Sequence, residues 1–262
     1  MRIGVIGDPM VDRYWVGKAT MLSPEAPVPK VKTEKVFDTL GGACNVAANL
    51  EALGVDVVRF WSEKNIPVKN RLMVGDVQLA RWDENDYCVP IGDVFPDPLT
   101  NLDAVIVSDY GKGTITPEFV DLSQNIALPM FIDSKRNPAE WSKIPNAIVF
   151  PNDLEYQTYQ EEYNKFRMCV HKQGAKGMRL LSYGNPWIEK VATAYNVRSV
   201  IGAGDTVIAA FAYMFVKLGC LESLSTRALT FANAAAACVV EMPYTTVVSE
   251  ETVVRKMKNY DS

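Results

Sequence analysis

The sharpest chemical signal in the 262-residue sequence is Ile201-Gly202-Ala203-Gly204-Asp205-Thr206, followed at once by a strongly apolar helical run. Small residues let backbone approach a ligand closely, and the free N–H groups at a helix start attract anions. An acid in such a place makes sense if it accepts a proton from a hydroxyl whose oxygen attacks phosphorus, with Gly202, Ala203 and Gly204 lining the anion site. The plainer alternative is an aspartate that caps a helix after a glycine turn.

Three weaker signals stand elsewhere in the chain. Pro151-Asn152-Asp153-Leu154-Glu155 follows a candidate strand and sets Asn152 and Glu155 one helical turn apart, a pair able to hold the hydration shell of Mg²⁺. The same residues also read as an Asn-initiated helix with an acid in its first turn. Gln173-Gly174-Ala175-Lys176-Gly177 is a flexible loop with one cation, suited to lie along phosphates. Leu40-Gly41-Gly42-Ala43-Cys44-Asn45 opens a helix where two glycines admit a sugar and Asn45 can both donate and accept hydrogen bonds.

These segments need a scaffold, and the pattern predicts one. Short Val/Ile-rich runs alternate with helical segments, as expected for parallel strands joined by crossover helices on both faces of a sheet. Strands are expected at Arg2–Gly7, Val55–Phe60, Ala104–Ser108, Pro129–Asp133, Ala147–Phe150 and Arg167–His171, with an antiparallel edge pair at Arg179–Tyr183 and Trp187–Ala192. Helices are expected at Gly42–Leu53, Pro117–Ile126, Asp153–Tyr163, Ala203–Leu218, Leu221–Val240 and Ser249–Lys258. Two stretches fit this core poorly: proline-rich Arg13–Phe37, and Lys69–Trp82, which reads as a hairpin turning at Gly75-Asp76. Together they predict a small sheet standing off a single domain over 1–262, rather than two independent units.

Bulk properties exclude several classes. Hydrophobic residues at 48% and charged residues at 22% are the balance of a globular protein. A net charge of −4 with no basic block argues against a nucleic-acid partner. Five scattered cysteines without a C-x-x-C pair argue against zinc or a redox centre and suggest a reducing, cytoplasmic setting. His171 has no ligand-spaced neighbour and receives no role. Met1–Asp8 lacks the apolar core of a signal peptide, and Val207–Val216 and Ala234–Val240 fall short of the roughly 20 residues that cross a bilayer, so no membrane association is expected. Met10 stands where a dinucleotide fingerprint needs its third glycine after Gly4 and Gly7, and no G-x-x-x-x-G-K-[ST] occurs.

Taken in order, the four segments resemble the ribokinase or PfkB carbohydrate-kinase family across most of the chain. The resemblance implies a ribokinase-like three-layer α/β/α sandwich with a mostly parallel sheet and a small β-sheet lid formed by about 13–37 and 69–82. It implies ATP and Mg²⁺ as cofactors and Asp205 as the base, with Gly202, Ala203 and Gly204 as the anion hole. Asn152 and Glu155 would place Mg²⁺ and phosphate, while Gly174, Lys176, Gly177 and Asn233 would lie near the nucleotide. Gly41, Gly42 and Asn45 match the substrate motif. Within the family the resemblance is greatest to kinase domains for D-glycero-β-D-manno-heptose 7-phosphate, a step toward ADP-heptose and lipopolysaccharide. It is carried by Gly7-Asp8-Pro9-Met10-Val11-Asp12-Arg13-Tyr14-Trp15, Ser23-Pro24-Glu25-Ala26-Pro27-Val28-Pro29 and Ser108-Asp109-Tyr110-Gly111-Lys112-Gly113. By that similarity Asp12, Asn45 and Asp109 face the sugar, and Lys112, Lys135 and Arg81 are phosphate contacts.

The resemblance also implies a homodimer through the lid. The segments between Phe60 and Lys69 and between Leu154 and Val170 are shorter than the family's, and no nucleotidyltransferase sequence follows Ser262, so a separate nucleotidyltransferase is the expected partner. A kinase for another sugar or a nucleoside, and a non-catalytic sugar-phosphate-binding protein, are the alternatives. Retention of Asp205, Asn152 and Glu155 argues against the second.

Overall fold

The computed structural model describes residues 1–92, 101–190, 194 and 196–258. In chain order the elements are β1 (Arg2–Gly7), β2 (Pro9–Leu22), β3 (Pro29–Gly42), α1 (Ala43–Ala52), β4 (Asp56–Phe60), β5 (Val68–Val74), β6 (Val77–Glu84), β7 (Ala104–Asp109), α2 (Pro117–Ser123), β8 (Met130–Ser134) and β9 (Ala147–Val149). They continue with α3 (Asp153–Thr158), α4 (Gln160–Tyr163), β10 (Met168–Lys172), β11 (Met178–Ser182), β12 (Asn185–Lys190), α5 (Ala203–Lys217), α6 (Ser225–Val240) and α7 (Glu250–Lys258).

An eight-stranded sheet runs in the order β12-β11-β10-β9-β8-β7-β1-β4. All pairings from β4 to β10 are parallel, and β10-β11-β12 is antiparallel, the edge pair the sequence suggested. The last two residues of the expected strand Trp187–Ala192 lie outside the described residues. β7 and β8 are buried at every position, which is why their sequences read as apolar runs without alternation. The strand pleat splits their side chains between two cores. Ala104, Ile106 and Phe131 pack with α1, α5, α6 and α7, whereas Val105, Val107, Met130 and Ile132 pack with Phe119, Trp141 and Tyr163 on the other face. The result is three layers, helix on sheet on helix.

Two expected helices differ. Asp153–Tyr163 breaks at Tyr159 (φ −126°, ψ 37°) into α3 and α4, and across the break Tyr156 stacks on both His171 and Tyr163. Leu221–Val240 begins as a 3₁₀ turn at Glu222–Leu224, because Gly219 and Cys220 reverse the chain at positive φ and Leu221 is extended.

A second sheet, β3-β2-β5-β6, forms the lid. Its first hairpin is longer than expected, Pro9–Leu22 against Pro29–Gly42, because Pro24 and Pro27 fall in the connecting turn and Pro29 opens the edge strand, where no ladder donor is lost. Alternation along β2 divides the lid. Arg13 pairs with Asp38 and Trp15 donates to Asn70 on one face, while Asp12 and Tyr14 point to the other and are buried.

One buried acid ties the two sheets to a loop at the carboxyl ends of the strands. Asp8, fully buried between β1 and β2, accepts hydrogen bonds from the backbone N–H groups of Tyr110 (2.8 Å), Lys112 (3.0 Å) and Thr114 (2.9 Å). Hydrogen bonds to a charged acceptor are worth about 1.5–3 kcal/mol each, and unmaking one leaves a buried donor unpaired. Asp8→Ala is therefore expected to lower the unfolding free energy in urea by at least ~3 kcal/mol, whereas Asp56→Ala, which removes only an exposed pair with Arg2, changes it by less than about 1 kcal/mol.

Candidate active site

Gly202 precedes α5 with φ 79°, a left-handed conformation that glycine adopts without strain; a Cβ there would meet Asn45 Nδ2 at 2.7 Å and Thr245 Cγ2 at 2.8 Å. The turn delivers Asp205 to the first turn of α5, 4% exposed. Asn45 Nδ2 donates to its Oδ2 at 2.8 Å and the Tyr110 hydroxyl donates to its Oδ1 at 2.8 Å. Asn45 is itself fixed. Asn49 Nδ2 donates to both its backbone carbonyl and its side-chain oxygen, and the Thr206 hydroxyl donates to Asn49. Burial raises the proton affinity of Asp205; the bonds from Asn45 and Tyr110 oppose this, Asp133 adds to it and Lys172 subtracts, leaving the pKa at about 6.

Beside Asp205 lie two lysine–carboxylate pairs from strand ends: Lys172 with Asp133, and Lys135 with Glu155. Gly204 sits against the first, its missing Cβ 3.6 Å from Lys172 Nζ and 3.8 Å from Asp133 Oδ2. Asn152 and Glu155 form a reciprocal capping box at the start of α3, each side chain bonded to the other's backbone N–H at 2.9 Å. The structural reading of that motif therefore holds, and Glu155 still reaches Lys135 with its other oxygen. A cavity of about 400 Å³ joins these groups. Its polar end is lined by Tyr110, Asp133, Lys135, Asn152 and Lys172, and its apolar end by Met178, Val197, Val200, Val207, Ala236 and Val240.

Gly174, Gly177, Ala203, Gly204 and Asn233 also line this cavity, but Lys176 is exposed and does not. On the lid, the Asp12 carboxylate accepts two bonds from Arg71 (2.7 and 3.1 Å) in a buried pair, and Gly41 leaves room for it, since a Cβ there would stand 2.8 Å from Asp12 Oδ2. Gly42 turns the chain into α1 at φ 53°. Arg81 shares the lid face of Arg71 but pairs with Asp83, and Lys112 pairs with Asp86. Asp109 corrects a sequence expectation: its fully buried carboxylate is consumed by Arg136, Ser134 and the Gly111 N–H, so it braces the loop instead of facing a ligand.

Tyr110, Asp133, Lys172, Lys69 and Arg71 join the site without having been singled out for a role from the sequence. The available signal was positional, because Asp133 and Lys172 end apolar strands at the sheet edge where open α/β folds bind ligands. Lys69 makes no ion pair among the described residues; its ammonium lies 5.0 Å over the Tyr110 ring, and burial holds its pKa below the usual lysine range.

Among the described residues no group of three His, Cys, Asp or Glu could hold a metal alone. Asp133, which lines the cavity, and Glu155, paired with the cavity-lining Lys135, nevertheless suit Mg²⁺ as hard oxygen donors, since a phosphate-bound Mg²⁺ keeps several waters and takes few protein ligands.

The raised pKa makes Asp205 a liability for folding above pH 6. An unfolded aspartate titrates near 3.9, so between about pH 4 and 6 the folded protein binds the extra proton and stability falls as pH rises. Asp205→Asn is expected to be more stable than wild type by up to ~3 kcal/mol at pH 7–8, and the gain should vanish by about pH 4 in urea titrations.

Residues 139–252 match the family model described as pfkB family carbohydrate kinase. The chain is 30% identical over 295 residues to bifunctional protein HldE of Klebsiella pneumoniae and 31% identical over 299 residues to bifunctional protein HldE of Marinomonas sp., with 94% of this chain aligned in each case. It spans 61% and 62% of those relatives' lengths. Its fold matches phosphofructokinase-2 of Escherichia coli (TM-score 0.74, 16% identity, 99% of both chains) and ribokinase of Thermotoga maritima (TM-score 0.76, 14% identity, 98% of this chain and 99% of that one). The sheet, lid and helix-start site thus have a ribokinase-like fold, and residues 139–252 are similar to the pfkB family carbohydrate kinases.

Proposed function

We propose that the chain phosphorylates a sugar phosphate at the expense of ATP, with D-glycero-D-manno-heptose 7-phosphate, converted to the 1,7-bisphosphate, as the leading substrate. The observation that carries this reading is Asp205: a desolvated carboxylate with a pKa of about 6 at a helix start, beside Lys172 and the backbone of Gly202–Gly204. A general base works best when its pKa lies near the working pH, and this one does.

When bound, ATP would supply the phosphoryl group and Mg²⁺ would neutralise charge on its phosphates; Asp133, Asn152 and Glu155 are the residues that would hold them. The apolar end of the cavity suits a nucleobase, and the Gly174–Gly177 turn and Lys172 suit its phosphates. Asp205 takes the proton of the acceptor hydroxyl, and the N–H groups at the start of α5 stabilise negative charge on the transferred group. Because phosphoryl transfer depends chiefly on positioning and charge, those dipoles and lysines carry more of the rate enhancement than the base.

The acceptor lies between the lid and Asp205. Asp12 is held by Arg71 there, and Lys69 is a cation without a carboxylate partner among the described residues, which favours an acceptor that already carries an anionic group. The heptose assignment is supported by the motif resemblance and by relatives named HldE. The outer lid face, with Val36, Leu40 and Trp82 at 40–47% exposure, supports a homodimer through the lid. No described helix is long and apolar enough to cross a membrane.

ADP release measured with ATP, Mg²⁺ and a panel of heptose 7-phosphate, fructose 6-phosphate, ribose and adenosine tests this. Heptose 7-phosphate is expected to give the highest kcat/KM, and Asp205→Asn to lower kcat about 10²–10⁴-fold. A different preferred acceptor would replace the heptose assignment. Silence on all four, with tight sugar binding, would favour a binding protein, and wild-type turnover by Asp205→Asn would remove the base.

A further inference from the structure

Both oxygens of Asp205 are engaged by the protein. Asn45 holds Oδ2, on the lid side of α5, and its amide is locked by Asn49 and Thr206. Tyr110 holds Oδ1, and among the described residues no further side chain locks its hydroxyl. An acceptor hydroxyl that gives its proton to Asp205 must approach one of its oxygens, and the Tyr110 side is the one whose donor can move aside without dismantling a buried network. The tyrosine lines the cavity described above, Lys69 Nζ of the lid stands 5.0 Å and Lys135 Nζ of the core 5.7 Å from its ring centroid, and its backbone N–H is fixed by Asp8.

The geometry points to Tyr110 as a placeholder on the base: its hydroxyl occupies the oxygen of Asp205 that the acceptor hydroxyl takes, and keeps water off that oxygen until the sugar arrives. This rests on the phosphotransfer role given to Asp205 above. Water in that position would complete a hydrolysis. Its oxygen would form the new bond to the terminal phosphorus, the bond from that phosphorus to the ADP oxygen would break with its electron pair leaving on ADP, and the water proton would pass to Asp205. The phenol cannot substitute for water in this step, because burial and the neighbouring Asp205 hold its pKa well above the ordinary value and the proton stays on the ring oxygen. Such shielding matters in a kinase whose base stands ready at neutral pH, since an open carboxylate beside bound nucleotide would waste it.

Tyr110→Phe keeps the ring beside the two lysines and removes only the hydroxyl. ADP release from ATP and Mg²⁺ without any sugar is expected to rise about tenfold. In calorimetric titration without nucleotide, the acceptor that the wild type turns over, heptose 7-phosphate on the reading above, is expected to bind about three- to tenfold more tightly, because no internal hydrogen bond has to be given up. Background hydrolysis that stays level or falls would overturn the proposal, as would weaker sugar binding, which is what a tyrosine that merely shapes the pocket or contacts the sugar would give. The functional reading fails in a different place: wild-type silence toward every acceptor, an assay in which the variant takes no part.

Discussion

A carboxylate held charged in a place that resists charge is the constraint around which the site is organised. Taking Asp205 out of water raises its pKa to about 6, and the protein limits that penalty with two hydrogen bonds, the start of a helix and Lys172 nearby. Each support comes from a different part of the chain. Asn45 stands on α1, Tyr110 on the loop after β7, Lys172 at the end of β10 and Asp205 on α5, and only the assembled sheet brings them together. On the role proposed for Asp205, the folded domain accepts a destabilised acid in return for a base poised near neutrality, a trade common at catalytic centres.

The layers beneath explain how that placement is held. The parallel strands end in polar or charged residues on one edge: Asp8 after β1, Asp109 and Tyr110 at β7, Asp133 in β8, Asn152 beyond β9 and Lys172 in β10. Not all of these meet a ligand. Asp8 and Asp109 turn inward, where they pin the 109–114 loop to the sheet, and that loop positions Tyr110 over Asp205. The lid starts directly from β1 through Asp8, so the acid that fixes the loop also sits at the root of the hairpin that carries Asp12. An aromatic group of Tyr14, Phe37 and Tyr244 joins the lid to the segment that packs Thr245 against Gly202. Lid and anion site thus share a wall.

How much of this was legible in the sequence follows from how local each signal is. β7 and β8 were readable because burial on both faces produces unbroken apolar runs, and Gly202-Ala203-Gly204-Asp205 because small residues and an acid before an apolar helix are unusual side by side. The lid hairpin was only partly readable: β3 is exposed along most of its length, so Pro29–Gly42 lacks the alternation that marks a half-buried strand. Asn152 and Glu155 carried two readings in the sequence, of which the structure shows the capping box, with Asn152 also lining the cavity. Tyr110, Lys172 and Lys69 were illegible as site residues because each is a single side chain whose meaning comes from a distant partner. Tyr110 and Asp205 are 95 positions apart, and Lys172 and Asp133 are 39 apart. Asp109 was opaque for the complementary reason, because a charged residue at a strand end turns into the core when an arginine such as Arg136 waits there.

The central claim is that Asp205 keeps its proton far longer than an ordinary aspartate, and a carbon-13 titration of its side-chain carboxyl in the ligand-free protein tests it without any choice of substrate. The resonance, assigned by its loss in Asp205→Asn, is expected to titrate with a midpoint of about 6. A midpoint near the ordinary aspartate value of about 3.9 would contradict the account, because a carboxylate so readily charged would be neither desolvated nor poised as a base at neutral pH.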